Sequence, residues 1–243
     1  VIYAVGDIHG QVTMLRALWK QLPLKDDDVL LFLGDYIDRG EDSCGVIEEL
    51  LKIQQQHENV IFLRGNHEQM MLDARDAPSP ELKPDSGFIH FAEPVLLWLQ
   101  NGGADALLSY QMEDYSRWAE NIPLEHWDFV RATQMEYVTE PYHFVHAGLA
   151  RPGEHWEGEK YGLDARLWIR EPFLSDKDYY NDRIIVFGHT PQLNGRPLVQ
   201  RNKIGLDTGA VFGGPLTAAA FNLTATGSDR LQPRFYQVDY VRS

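Results

Sequence analysis

The chain has 243 residues, 44% hydrophobic and 24% charged, which is ordinary globular composition and enough for one large or two small domains. Its formal charge of −14 leaves no basic stripe to release counterions, so nucleic acid is excluded as the main partner, while a phosphorylated substrate stays compatible if bound cations offset the local charge. No apolar run approaches the ~20 residues of a membrane-spanning helix and no signal peptide is visible, so no membrane partner is expected.

Val1–Val5 reads as a buried strand broken by Gly6, and because Val1 rather than Met opens it, a trimmed N-terminus is expected. Gln11–Leu22 carries Met14, Leu15, Leu18, Trp19 and Leu22 at helical spacing and stops before Pro23. Val29–Leu33 is a second strand, Cys44–Ile53 a helix, Asn59–Leu63 a third strand, and Asn66–Arg75 starts another helix. Strand–helix–strand–helix–strand at these lengths predicts parallel right-handed crossovers in an α/β fold. Asp76–Gly87, rich in Pro, Asp and Ser, reads as a loop. Phe88–Gln100 reads as a helix ended by Asn101-Gly102-Gly103, and Pro123–Thr133 as another. Residues 76–139 are therefore expected to form a mostly helical insertion in a single domain spanning 1–243. Strands resume at Tyr142–Val145, Arg183–Phe187, Lys203–Leu206, Thr217–Asn222 and Arg234–Val238.

Polar residues follow the strands in a pattern. Asp7 comes after the first, Asp35 after the second, Asn66 after the third, His146 after Tyr142–Val145 and His189 after Ile184–Phe187. Ligands of α/β sheets collect outside the carboxyl ends of the strands, so these side chains should meet. Asp7 and His9, two apart in a turn, can face one cation. Asp35 has two oxygens and can bridge two cations about 3.5–4 Å apart. Asn66, His146 and His189 would complete the second site. Mixed oxygen and imidazole donors suit manganese, iron or zinc better than calcium, with manganese the first expectation. Such a pair activates water as a hydroxide nucleophile near neutrality.

Gly6-Asp7-Ile8-His9-Gly10, Gly34-Asp35-Tyr36-Ile37-Asp38-Arg39-Gly40 and Gly65-Asn66-His67-Glu68 resemble the signature blocks of the phosphoprotein phosphatase family of metallophosphoesterases. His146-Ala147-Gly148 and Gly188-His189-Thr190 resemble its two later histidine blocks, and all five stand in the family's order over almost the whole chain. The modest length is similar to bacterial and phage members. The resemblance implies two β-sheets packed face to face with helices outside. It implies Asp7, His9 and Asp35 on one metal, and Asp35, Asn66, His146 and His189 on the other. His67 would be the general acid, Asp38 its hydrogen-bond partner, and Arg39 a phosphate clamp. Leu167-Trp168-Ile169-Arg170-Glu171 resembles the segment supplying a second phosphate-binding arginine, Arg170. Leu206-Asp207-Thr208-Gly209 looks like a late block in which Asp207 supports the ligands. The implied activity is hydrolysis of phosphoserine and phosphothreonine, with phosphotyrosine a further candidate, by direct attack of a metal-bridging hydroxide. The alternative is a dinucleoside-polyphosphate (diadenosine tetraphosphate) hydrolase. Relatives of that kind tend to lack the Asp of Asp38-Arg39 and to carry Asp after the Asn-His pair, so Asp38 and Glu68 favour the phosphatase. The expected partner is a phosphorylated protein or small phosphoester.

Taken singly, these residues have plainer explanations. Asp7 could cap the helix near Gln11, Asn66 could cap its own, and a lone His146 or His189 is more often a core histidine. Their number and order favour the metal site. His57, His90, His126, His143 and His155 lack ligand spacing, and Trp98, Trp118, Trp127, Trp156 and Trp168 read as packing residues. Cys44, the single cysteine, permits no intramolecular disulfide and lacks the loop of a cysteine-dependent phosphatase, which points to a cytoplasmic enzyme without a thiolate step. No Walker-type or G-x-G-x-x-G loop follows any strand.

Overall fold

The computed structural model describes residues 1–78, 81–82, 89–112, 115–177 and 183–240, with the backbone alone at 81–82 and 89–90. Its first strands, β1 (Ile2–Val5), β2 (Val29–Phe32) and β3 (Val60–Phe62), are parallel neighbours joined through helices α1 (Val12–Gln21) and α2 (Ser43–Gln56). After α3 (Asn66–Asp76) come the paired short strands β4 (Glu81–Leu82) and β5 (Ile89–His90). Helices α4 (Glu93–Trp98), α5 (Ala104–Ser109), α6 (Trp118–Asn121) and α7 (Leu124–Ala132) follow. The chain then enters β6 (Glu136–Val138) and β7 (Tyr142–Val145), passes α8 (Ala165–Trp168), and returns to strands: β8 (Ile184–Phe187), β9 (Leu198–Gln200), β10 (Lys203–Gly205), β11 (Leu216–Phe221) and β12 (Arg234–Val238).

These strands build two mixed sheets, ordered β12-β11-β1-β2-β3 and β6-β7-β8-β10-β9. In the first, β1 is central: it pairs parallel with β2 and antiparallel with β11 from the far end of the chain. Period-two alternation sorts the side chains. Ile2, Ala4, Leu31, Leu33, Ala219 and Phe221 from the first sheet meet Tyr142, Phe144, Ile184, Val186, Ile204 and Leu206 from the second in one buried layer. The intervening residues Tyr3, Val5, Leu30 and Phe32 point the other way, onto α1 and α2. Val145, Ile185 and Phe187 face outward beneath Ala165, Ile169 and Phe173. The expected sandwich flanked by helices is what forms, and the late β-rich segments supply strands to both layers.

Every strand expected from sequence is present with ends within a residue. Gly102, at φ 111°, breaks the helix within Asn101-Gly102-Gly103 as expected, although α4 is regular only to Trp98 and the chain passes through a wide turn at Leu99–Gly103 into α5. Elsewhere in this stretch the structure departs from expectation. The helix foreseen from Phe88 begins only at Glu93, where Pro94 in its first turn suits a helix start. Residues 76–139, expected to be mostly helical, also carry β6, which pairs antiparallel with β7 at the edge of the second sheet. Asp76 closes α3 instead of opening a loop, and of the expected loop and helix start, residues 79–80 and 83–88 lie outside the described residues.

Candidate active site

The carboxyl ends of β1, β2, β3, β7 and β8 converge, and the polar residues that follow them converge too. Asp7, His9, Asp35, Asn66, His67, His146 and His189 are all buried. The turns that aim them are unusual. Among the described residues, six non-glycine residues take positive φ, and five of them are His9, Asp35, Asp38, Arg39 and His189. Left-handed backbone costs a non-glycine residue energy that the surrounding structure must supply, and such residues cluster where side chains need exact aim. Gly34 (φ 104°) makes the turn after β2 possible, because a Cβ there would lie 2.7 Å from Gly65 Cα. Asp7 is no helix cap: α1 is entered at Gln11 without a side-chain cap, and α3 at Gly65.

Hydrogen bonds fix the imidazoles. His9 Nδ1 faces the carbonyl of Ile37 at 2.8 Å, and His146 Nδ1 that of Leu33 at 2.9 Å. With Nδ1 donating to a carbonyl, each Nε2 carries its lone pair inward. His9 Nε2 is 3.5 Å from Asp35 Oδ2, and His146 Nε2 is 3.4 Å from Asp35 Oδ1, so the carboxylate offers one oxygen to each side. Asn66 Oδ1 lies 3.0 Å from His146 Nε2 and 2.9 Å from His189 Nδ1. The Asp7 carboxylate accepts the backbone N–H of His189, at 2.9 Å to Oδ2.

Two groups of potential metal donors result: His9, Asp35 and His67, and Asp35, His146 and His189, with ligand atoms inside each group within 4.8 Å of one another. Asp35 belongs to both groups. His67 lies in the first group, and Asp7, which accepts the His189 amide, is in neither. The donor set fits divalent cations. His189 Nε2 is buried without a hydrogen-bond partner. Burial holds the His9 imidazole down to about 3 and also lowers His146 and His189, so all three present neutral nitrogen. Burial and the neighbouring Asp207 and Asp35 charges push Asp7 well up, and burial with the Asp35 charge raises Asp207 to about 7. Crowded carboxylates beside neutral imidazoles are the electrostatic complement of cations.

His67 behaves differently. Its Nδ1 is 2.7 Å from Asp38 Oδ2 and both side chains are buried. Burial works against a charged imidazole, but Asp35 and the hydrogen bond to Asp38 outweigh it and raise the His67 pKa. The exposed guanidiniums of Arg39 and Arg170 flank the two groups: Arg39 NH1 is 3.2 Å from His9 Nε2, and Arg170 NH2 reaches the His189 carbonyl at 3.4 Å.

Two contributors escaped the sequence reading. The buried carboxylate of Glu68 accepts the backbone N–H groups of Asp35 and Tyr36, each at 2.9 Å, and of Gly65 at 2.8 Å, tying the turn after β2 to the start of α3. Its position three residues after Gly65 is a capping-box signal that could have disclosed this. Trp98 donates its indole N–H to Asp38. No local pattern marks that contact. Asp207, also buried, accepts the Gly209 N–H at 2.9 Å. His57 bonds the Asp28 carbonyl, His126 bonds Tyr110, and His143 and His155 pair with Glu136 and Glu159, all away from the cluster, while the His90 side chain lies outside the described residues.

Comparison with known proteins agrees with this geometry. Residues 1–222 match the calcineurin-like phosphoesterase family. The chain is 30% identical over 226 residues to serine/threonine-protein phosphatase 1 of Salmonella typhimurium (strain LT2), covering 90% of each chain. A crystal structure provisionally assigned as a diadenosine tetraphosphatase superposes with a TM-score of 0.64 at 22% identity, covering 100% of this chain and 94% of that one. A Saccharomyces cerevisiae serine/threonine phosphatase with similarity to human PP5 gives 0.59 at 15% identity, covering 100% and 80%. At these identities the two structures share the fold. No helix among the described residues is long and apolar enough to cross a membrane.

Proposed function

The chain belongs to the calcineurin-like phosphoesterase family and is a metallophosphoesterase, a hydrolase, and from that premise we propose that it removes phosphate from phosphoserine and phosphothreonine in proteins. The observation that carries this reading is the buried His67–Asp38 pair set against two His/Asp groups that share Asp35. An alkoxide leaving group is strongly basic and needs a proton, and a charged imidazole held by a carboxylate is built to deliver one. The 30% identity to the Salmonella serine/threonine phosphatase supports the same substrate class.

In this proposal Asp7, His9 and Asp35 hold one divalent cation, and Asp35, Asn66, His146 and His189 the other, with manganese first and iron or zinc as alternatives. When bound, such a pair supplies Lewis acidity towards phosphoryl oxygens and an activated water nucleophile at neutral pH. Arg39 and Arg170 bind the remaining phosphate oxygens with charge-assisted hydrogen bonds. His67 Nδ1 stays on Asp38 while Nε2 passes its proton to the departing serine or threonine oxygen. Water attacks phosphorus in line and no side chain is phosphorylated. Residues 1–243 act as one domain with 76–139 inserted, a reading supported by ligand residues arriving from both sheets. A cytoplasmic location is proposed from the single Cys44.

The test is a parallel assay of manganese-loaded protein on phosphoserine and phosphothreonine peptides, a phosphotyrosine peptide and diadenosine tetraphosphate. The expected result is fastest turnover of the first two. Faster cleavage of the dinucleotide overturns the assignment in favour of a dinucleoside-polyphosphate hydrolase. Single turnover in heavy-oxygen water should label the released phosphate, and a trapped phosphoenzyme rules out direct attack.

A further inference from the structure

Asp38 is fully buried, so every lone pair its carboxylate spends must find a donor inside the protein. His67 Nδ1 occupies Oδ2 at 2.7 Å. The second donor is Trp98, the last residue of α4, whose indole Nε1 stands 3.1 Å from Oδ1 and 3.0 Å from Oδ2. Indole nitrogen can only donate, so the bond has one polarity. The ring is itself pinned. It is fully buried against Trp118, with centroids 4.8 Å apart, and Gly103 packs on it so closely that a Cβ there would lie 2.6 Å from indole Cδ2. The same wide turn places the Gly102 carbonyl 3.2 Å from the Arg39 N–H. Residues 98–103 therefore touch the sequence Asp38-Arg39 twice, once through a side chain and once through the backbone.

We infer that Trp98 is a positioning residue for proton delivery: its indole N–H orients the Asp38 carboxylate, which in turn fixes the His67 ring so that Nε2 points at the leaving oxygen. This rests on His67 being the acid. A packing residue would not need the N–H, and the polarity of the bond, together with the clamp from Trp118 and Gly103, singles out orientation of Asp38 as its role. The insertion thereby joins the catalytic apparatus through one hydrogen bond.

The experiment compares two esters with different demand for a proton. A phosphoserine peptide leaves as a strongly basic alkoxide, whereas p-nitrophenyl phosphate leaves as a weakly basic phenolate. Loss of acid catalysis costs roughly 10²–10⁴-fold where the proton is needed. Trp98→Phe keeps a ring in the slot and deletes the donor. We expect kcat on the phosphopeptide to fall about tenfold more than kcat on the aryl ester, with KM and manganese content as in the wild type. Incorporating benzothienylalanine at position 98, which keeps the indole shape and replaces N–H by sulfur, should give the same selectivity, and it decides the matter if the phenylalanine variant does not fold. Equal losses on both esters overturn the proposal, as does a change confined to KM. His67→Asn is the control that separates the two readings. If it is ester-selective and the position-98 variants are not, the role of Trp98 is refuted alone. If His67→Asn is itself unselective, the acid assignment fails and takes this inference with it.

Discussion

Asp38 makes side-chain contact with His67 and Trp98 and lies behind the imidazole, so its contribution to turnover should pass entirely through His67. Asp38→Asn tests this with little disturbance of shape. The asparagine oxygen at the Oδ2 position can still accept from His67 Nδ1 at 2.7 Å and from Trp98 Nε1 at 3.0 Å, so what disappears is the charge and the second acceptor, Oδ1, that lay 3.1 Å from the indole nitrogen. Hydrogen bonds to charged groups are worth about 1.5–3 kcal/mol against about 0.5–1.5 kcal/mol for neutral ones, so about 1–1.5 kcal/mol goes with the charge. At 1.36 kcal/mol per factor of ten, kcat should fall about 5- to 13-fold. His67→Asn removes the acid itself and should cost roughly 10²–10⁴-fold. The double variant should then be no slower than His67→Asn, giving a coupling energy of about 1–1.5 kcal/mol, the size of the Asp38 effect itself. The assay is kcat on a phosphoserine peptide at saturation, with metal content matched across the four proteins. If the two losses multiply in the double variant, Asp38 acts on substrate or metal independently and the chain of contacts proposed here is wrong.

Because Asp35 gives one oxygen to each donor group, Asp35→Asn should lower occupancy of both metals, and elemental analysis finding two full equivalents counts against sharing. Chelator-stripped protein should lose stability as pH rises from about 4.5 to 7. Burial and the Asp35 charge raise Glu68 to about 7, and Asp207 likewise reaches about 7, so over that interval the folded chain keeps protons that the unfolded chain has released. Stability falls on the order of 1 kcal/mol per pH unit for each group and levels off above about pH 7, and manganese should remove the slope. Urea midpoints measure it, and a rising midpoint contradicts the sign. Burial pushes the Cys44 thiol up to about 11, so iodoacetamide at pH 7.5 should modify it slowly and spare activity; rapid labelling with inactivation would implicate the thiol after all.

The residues that converge in the site were legible because nearly all come shortly after an apolar strand, and strand ends in an α/β arrangement fix where side chains go. The sandwich was legible only through the family resemblance. Alternation in β7, β8, β10 and β11 tells which residues are buried, but not that β11 crosses back to sit beside β1 while β10 stays with the second sheet. The edge strand β6 was hidden because Glu136-Tyr137-Val138 is short and half-buried. Trp98 shows the deeper limit. Its partner is 60 residues away in sequence, and what makes it more than core is the direction of a single N–H. The acid pair itself was expected from the Asp38 and His67 blocks, while its depth of burial was not.

The pairing of β1 with β11 has a consequence for biosynthesis. The strand that launches Asp7 and His9 is made long before its antiparallel neighbour, which spans Leu216–Phe221 and follows β2 and β3 of the same sheet. Until then one flank of the nascent strand is an open ladder, attractive to other chains and in need of shielding. Cofactor loading should therefore be a late, post-translational event, and translation stalled before that segment should yield a polypeptide that aggregates rather than a half-active intermediate.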